Sequence, residues 1–205
     1  MRKRIAQTIK QVRIEASEAR LLRPGRDEGF SLIEMSMGLL FACALAGVAL
    51  IQTREVFTGI RANEAMQQTV SQLRHGRQMA IAQRRGVQVQ FLGNNQIRLV
   101  RNDPDNGTSI LSTIALGNNC QFLKFDDISA DTPDTLGGDS AVFFGGADSL
   151  TFRSDGTLVD ENRIPANGTI SIGQPGHPEA ARAVTIVGST GRIRGYRWTG
   201  SQWIE

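Results

Sequence analysis

The sequence predicts an α+β fold in which one long N-terminal helix packs on a C-terminal, mostly antiparallel β-sheet domain. Three observations carry this. A 22-residue, mostly apolar run from Phe30 to Ile51 passes without proline into residues that keep helical spacing as far as Arg85. From Val87 the period of the pattern becomes two. Gly-, Asn- and Asp-rich turns then punctuate the chain to its end.

The first element is set by charge and length. Residues 1–29 hold eight Lys and Arg against four Asp and Glu, whereas residues 30–205 hold 15 against 16. The basic character of the whole chain therefore belongs to its leader. The run 30–51 rises to roughly 33 Å as a helix, enough to cross a bilayer. Basic residues stay on the cytoplasmic side, so the N-terminus is expected inside and residues 52–205 outside. The single charge in the run is Glu34. A secretory signal peptide cut after Ala44-Leu45-Ala46, or a lipoprotein site at Leu40–Cys43, fits poorly. Glu34 interrupts the apolar stretch, Phe41 is bulky, and the apolar run continues past both sites. A plain membrane anchor explains length and orientation but gives Glu34 no role, although a charge in hydrocarbon is costly and usually has a partner.

Gly29-Phe30-Ser31-Leu32-Ile33-Glu34, opening an apolar helix, resembles the class III cleavage signal of type IV pilins and pseudopilins. That resemblance implies cutting between Gly29 and Phe30 by a prepilin peptidase, methylation of the new Phe30 amine, and pairing of Glu34 with the Phe30 amine of a neighbouring subunit. Two opposite charges in a low dielectric relieve each other's desolvation cost. The 29-residue leader is longer than the leaders of many major pilins.

Residues 52–85 continue the helix in amphipathic form. Val56, Ile60, Met66, Val70, Leu73 and Ala80 recur at helical spacing between charged and amide residues. A continuous helix from Phe30 to Arg85 is about 84 Å long. Gly59 and Gly76 are expected to soften it and Gly86 to end it. The apolar stripe is read as core, covered by the sheet.

Residues 86–205 form the β domain. Val87–Leu92 and Gln96–Arg101 flank a Gly93-Asn94-Asn95 turn. Further strands are expected at Ser109–Ala115, Cys120–Phe125, Ala141–Phe144, Ser149–Arg153, Thr169–Ile172, Arg182–Val187, Arg192–Trp198 and Gln202–Ile204. Asp131–Ser140 and Gly173–Ala181 read as exposed loops. Ser149–Thr157, a strand ending at Phe152 followed by a Ser154-Asp155-Gly156 turn, is similar to the C-terminal domain of the GspH/FimT group of pseudopilins and minor pilins. With the N-terminal signal, the resemblance spans nearly all of residues 29–205 and implies a pilin-like architecture.

No catalytic, cofactor or metal residues are expected. His75 lies on the long helix and His177 in a loop, neither near ligands at metal spacing. Asp103-Pro104-Asp105-Asn106-Gly107 departs from a calcium loop because Gly comes early and no distal Glu follows. It reads as a hairpin turn. Asp126, Asp127, Asp131, Asp134 and Asp139 read as a solvated loop rather than a calcium site. Cys43 and Cys120 lie in different segments, and Cys120 reads as a buried free thiol.

The last hairpin carries the remaining signal. Period two puts Arg192, Arg194, Tyr196 and Trp198 on one face of a regular strand. Two guanidinium groups beside aromatics suit a phosphate backbone with bases free to stack. The alternative is arginines paired with carboxylates and aromatics packed inside. Gly191-Arg192-Ile193-Arg194 also resembles the Gly-Arg-x-Arg motif of FimT-type minor pilins, which implies DNA contact through Arg192, Arg194, Tyr196 and Arg197, with Arg182 a further candidate. The resemblance as a whole implies a non-enzymatic type IV pilus minor pilin. The first alternative is the H-type pseudopilin of a type II secretion system, and the second a membrane-anchored β-domain binding protein. Expected partners are the prepilin peptidase, other pilins in a filament, inner-membrane lipid before assembly, and DNA. The expected location is the bacterial inner membrane, crossed once with the β domain periplasmic, and then the filament.

Overall fold

The computed structural model describes residues 31–103 and 107–205, without the side chains of residues 48–56. The leader, the Gly29–Phe30 junction and Asp105-Asn106 therefore lie outside the described residues. The chain divides into two units between Leu50 and Ile51.

Helix α1 runs from Leu32 to Gln83. In the first unit its large apolar side chains are exposed, including Leu32, Ile33, Leu39, Leu40, Phe41 and Leu45 at 67–88%. Among the described residues no helix is long and apolar enough to cross a membrane. Side chains of the expected 30–51 span are described for the seventeen residues 31–47, and a bilayer needs about 20.

In the second unit α1 ends three residues before the expected stop at Gly86. Arg84 adopts φ +51°. The Arg84 amide donates to Ile81 O (3.3 Å) and the Arg85 amide to Ala80 O (3.2 Å). This pair of bonds is a Schellman closure, with arginine in the left-handed position that glycine usually takes.

Among the described residues eleven strands follow, all paired antiparallel. One sheet has the order β3-β2-β1-β6-β7, built from β1 (Val87–Leu92), β2 (Gln96–Asp103), β3 (Gly107–Ala115), β6 (Leu150–Phe152) and β7 (Leu158–Val159). The other has the order β11-β10-β9-β8-β4, with β5 also on β8. It is built from β4 (Gln121–Phe122), β5 (Val142–Phe143), β8 (Gly168–Gln174), β9 (His177–Val187), β10 (Arg192–Trp198) and β11 (Trp203–Ile204). The bounds of β1 and β10 are those expected from period two. β4, β5, β6 and β11 are shorter than expected, and β7 has too few residues to show a period.

The expected loop at Gly173–Ala181 is a strand hairpin instead. Gln174 pairs with His177 across Pro175-Gly176, and Gly176 sits at φ +80°, as a tight Pro-Gly turn requires. Ala180 and Ala181 are buried.

A single apolar core joins the helix to both sheets. Ala65, Met66, Val70, Leu73 and Ala80 of α1 meet Val87, Ile97, Leu99 and Phe152 of the first sheet and Ile170, Ile172, Val184, Ile186 and Ile193 of the second. Gly76 lets the helix approach the sheet, since a Cβ there would stand 2.9 Å from Leu99 Cδ2 and 3.5 Å from Phe152 Cδ2.

The next residue of α1, Arg77, ties the two sheets together. Its Nε donates to Gly156 O (2.9 Å) and its Nη2 to Thr190 O (3.2 Å). These carbonyls belong to the β6–β7 turn and the β9–β10 turn. The turns touch, because a Cβ on Gly191 would lie 2.0 Å from Gly156 O, and Gly191 itself has φ +62°. Replacing Gly191 with Ala therefore meets both a left-handed backbone and a backbone clash. Thermal unfolding followed by circular dichroism is expected to show a loss of about 2–4 kcal/mol for Gly191→Ala and about 2 kcal/mol for Arg77→Ala. Unchanged transitions would remove the proposed tie between the sheets.

Candidate functional site

The face of β10 expected from alternation is present, and its groups are engaged. Arg192, Arg194 and Tyr196 converge on Asp134 from the segment between β4 and β5. The Asp134 carboxylate accepts from Thr185 Oγ1 (2.6 Å), Tyr196 OH (2.9 Å) and Arg192 Nη2 (3.2 Å). Arg194 Nη1 stands 3.6 Å away, and Arg194 Nε lies 3.7 Å from a Glu205 carboxylate oxygen. Two cations thus share one nearly buried anion, whose side chain is 9% exposed.

Asp131–Ser140 is accordingly not a free loop. Thr132 is buried, and Thr169 Oγ1 donates to Leu136 O (2.8 Å). Gly137 packs on the Ala130 backbone and Gly138 on the Phe143 ring. No sequence period marks this, because the segment is held by side chains and close glycine contacts rather than by a ladder.

Tyr196 is 2% exposed. Its ring belongs to the interior and is not free to stack on a base, which corrects the expected role. Burial, the bond to Asp134 and that carboxylate's charge raise its hydroxyl above the ordinary tyrosine range, against the opposing effect of Arg194. Arg192 keeps half of its side chain exposed and Arg194 about a third. Arg197 is exposed on the opposite face of the strand. Trp198 packs edge-on against Trp203 at 5.3 Å, and the Trp203 indole donates to Ser129 O (2.9 Å).

Arg182 is buried and not available to a ligand. Its guanidinium donates to Asn63 Oδ1 (2.7 Å), Gly59 O (3.1 Å), Ala181 O (2.8 Å) and Glu179 O (3.3 Å). It therefore fastens β9 to the first turns of α1 in the β unit. Burial and the nearby Arg197 charge lower its affinity for a proton.

The other sequence candidates are dispersed. His75 is exposed, and His177 Nδ1 lies 2.8 Å from Glu179 Oε1. Cys120 is a buried free thiol that desolvation pushes above the ordinary range. Asp103 pairs with Arg85, and with Arg101 at 2.6 Å. Among the described residues no three His, Cys, Asp or Glu side chains gather at metal-binding distance.

A family model described as Type II transport protein GspH matches residues 65–191. The chain belongs to the GspH family. It is a pilin-like structural subunit and not an enzyme. The minor pseudopilin EpsH of the Vibrio cholerae type 2 secretion system is similar at 15% identity and TM-score 0.46, over 67% of this chain and 97% of its own. The type IV minor pilin FimU of Pseudomonas aeruginosa is similar at 18% identity and TM-score 0.44, over 70% of this chain and 92% of its own. No curated protein matches the chain. Of the two sequence stretches that resembled the GspH/FimT group, Ser149–Thr157 falls within the matched span, whereas Gly191–Arg194 meets it only at Gly191. In this GspH-family chain they meet at Gly156 and Gly191, so part of their signature is a packing requirement.

The Asp134 cluster makes the fold acid-sensitive in a definite direction. Burial raises the carboxyl's pKa, but the bonds from Thr185 and Tyr196 and the charges of Arg192 and Arg194 outweigh it and hold the group below the usual range. A depressed folded value adds stability above the unfolded value of about 3.9 and loses it as pH falls through the folded value. Thermal unfolding of Asp134→Asn at pH 7 is expected to show a loss of about 2 kcal/mol. The gap to the native protein should narrow as pH falls below about 4. A gap constant from pH 7 to pH 2 would mean that the charge contributes nothing.

Proposed function

We propose that the protein is a minor filament subunit of the type II transport kind, inserted through the apolar run that follows Gly29. The exposure of the apolar residues between Leu32 and Leu45 carries this reading. A row of large apolar side chains each more than half exposed is unstable in water, so lipid or neighbouring helices must cover it. Before assembly, Phe30–Ile51 spans the inner membrane with the basic leader cytoplasmic and the β domain periplasmic. The prepilin peptidase cuts after Gly29 and methylates Phe30. Glu34, exposed on the helix, then meets the Phe30 amine of a neighbouring pilin. The pairing of Arg192 and Arg194 with Asp134 favours transport over DNA handling, since these guanidinium groups already serve the fold.

Membrane-extracted protein is expected to begin at methylated Phe30 by mass spectrometry. Glu34→Ala should be cleaved normally but recovered in the membrane rather than in sheared filaments. A mature chain starting at Cys43, or normal filament recovery of Glu34→Ala, would sink this reading.

Half-exposed Arg192 and exposed Arg197 support a second, weaker reading: contact with DNA phosphates, without base stacking by Tyr196. In that case the detergent-solubilised protein binds DNA at low salt. Arg192→Gln with Arg197→Gln then lowers the slope of log K against log salt by roughly 1.5. Absence of binding at low salt removes the DNA reading and leaves the filament reading intact.

A further inference from the structure

We infer that the β10–β11 hairpin enters the headgroup layer of a membrane, with Arg197 on a lipid phosphate. The inference rests on the reading of residues 30–51 as the span. Contacts in the β unit step along α1 and β10 in opposite directions. Arg77 Nη2 donates to Thr190 O (3.2 Å) and Arg74 Nη2 to Ile193 O (3.4 Å), and a Cβ on Gly195 would stand 2.9 Å from Met66 Sδ. Arg182, which pairs with Arg197 across the strands, reaches Gly59 O. β10 therefore runs antiparallel to α1, and its last residues lie at the end of the β unit that Ile51 opens. Gly59 follows Ile51 by eight helical residues, about 12 Å. Between Arg197 and the turn at Gly200 the chain advances about 10 Å towards the level of Ile51. The remaining gap is smaller than one headgroup layer, roughly 5–7 Å.

The hairpin carries the chemistry of that layer. Trp198 and Trp203 stand directly opposite each other, half-buried. Tryptophan favours the headgroup level, where part of its ring is apolar and part is wet. Phe57, at the same end of α1, is 53% exposed. The tip, Thr199–Gln202, is exposed and uncharged. Arg197 supplies the need for an anion. It is exposed and directly opposite Arg182, and like charges so placed destabilise a strand pair. Among the described residues neither arginine makes an ion pair. The carboxylates nearest in these strands are engaged, Glu179 with His177 and Glu205 with Arg194. A phosphate on Arg197 offsets the repulsion. Arg197 and the tryptophans lie on opposite faces of the hairpin, so a hairpin that enters end-on presents all three to one layer. The position beside the exit of the span selects a lipid over a soluble anion.

Trp198 and Trp203 are the only tryptophans of the chain, so its tryptophan fluorescence reports this hairpin alone. The full chain is reconstituted in phosphatidylcholine vesicles that contain phosphatidylglycerol or phosphatidylcholine spin-labelled near the top of an acyl chain. Both labels are expected to quench. Phosphatidylglycerol should be preferred about fivefold in relative association constant, the contribution of one arginine beside an anionic lipid. Arg197→Gln should keep the native circular dichroism and the quenching but lose the preference. Absence of quenching by either label overturns the proposal, as does a preference that survives Arg197→Gln. Equal quenching by the two lipids also overturns it and leaves Arg197 to a carboxylate of a neighbouring subunit. A preference abolished by free inorganic phosphate at constant ionic strength overturns it as well, by making the site one for a soluble anion. Alkaline carbonate separates this inference from the reading beneath it. A chain released from the vesicles removes the span and the hairpin contact together, whereas a retained chain with unquenched tryptophans removes only the contact.

Discussion

The fold of the β unit depends on the buried stripe of α1. Neither sheet is closed without it, because each has one apolar face and a sheet must bury such a face against another layer. Leu73 and Ala80 are fully buried, and Gly76 between them brings the helix close enough for Leu99 and Phe152 to seal the contact. The second sheet uses the same helix through Ile193 and Val184. A helix that must serve two sheets cannot shift register toward one without opening the other. This is why the β6–β7 and β9–β10 turns can be held against each other by a single arginine.

Arginine carries much of the polar structure. Arg77 and Arg182 both span the helix and the strands, and both donate to backbone carbonyls rather than to carboxylates. A guanidinium group suits this task because its several planar donors satisfy several acceptors at once while the charge stays delocalised. The same chemistry removes these residues from the pool of ligand-binding cations. Counting arginines near the last hairpin overstates its capacity for anions. Arg182 is interior, and Arg192 and Arg194 share Asp134.

Much of this was legible in the sequence. Helical spacing and the absence of proline determined α1, and strict alternation determined β1 and β10 to the residue. The basic leader and the apolar run set the expected insertion, because membrane energetics act on local composition, whereas the expected processing at the Gly29-Phe30 junction and the role of Glu34 came only from the resemblance to the pilin cleavage signal. Tertiary structure alone decided the role of the last hairpin. Alternation assigned Arg192, Arg194 and Tyr196 to one face but said nothing of what covers that face. Asp134 does so from about sixty positions earlier in the chain, in a stretch whose Gly, Pro and Asp content reads as loop. The lengths of β4, β5 and β11 were likewise decided by neighbours, since a strand lasts only as long as its partner supplies hydrogen bonds. Local pattern specifies backbone period and side-chain direction. Which polar groups are spent inside the fold depends on partners that only the folded chain brings within bonding distance.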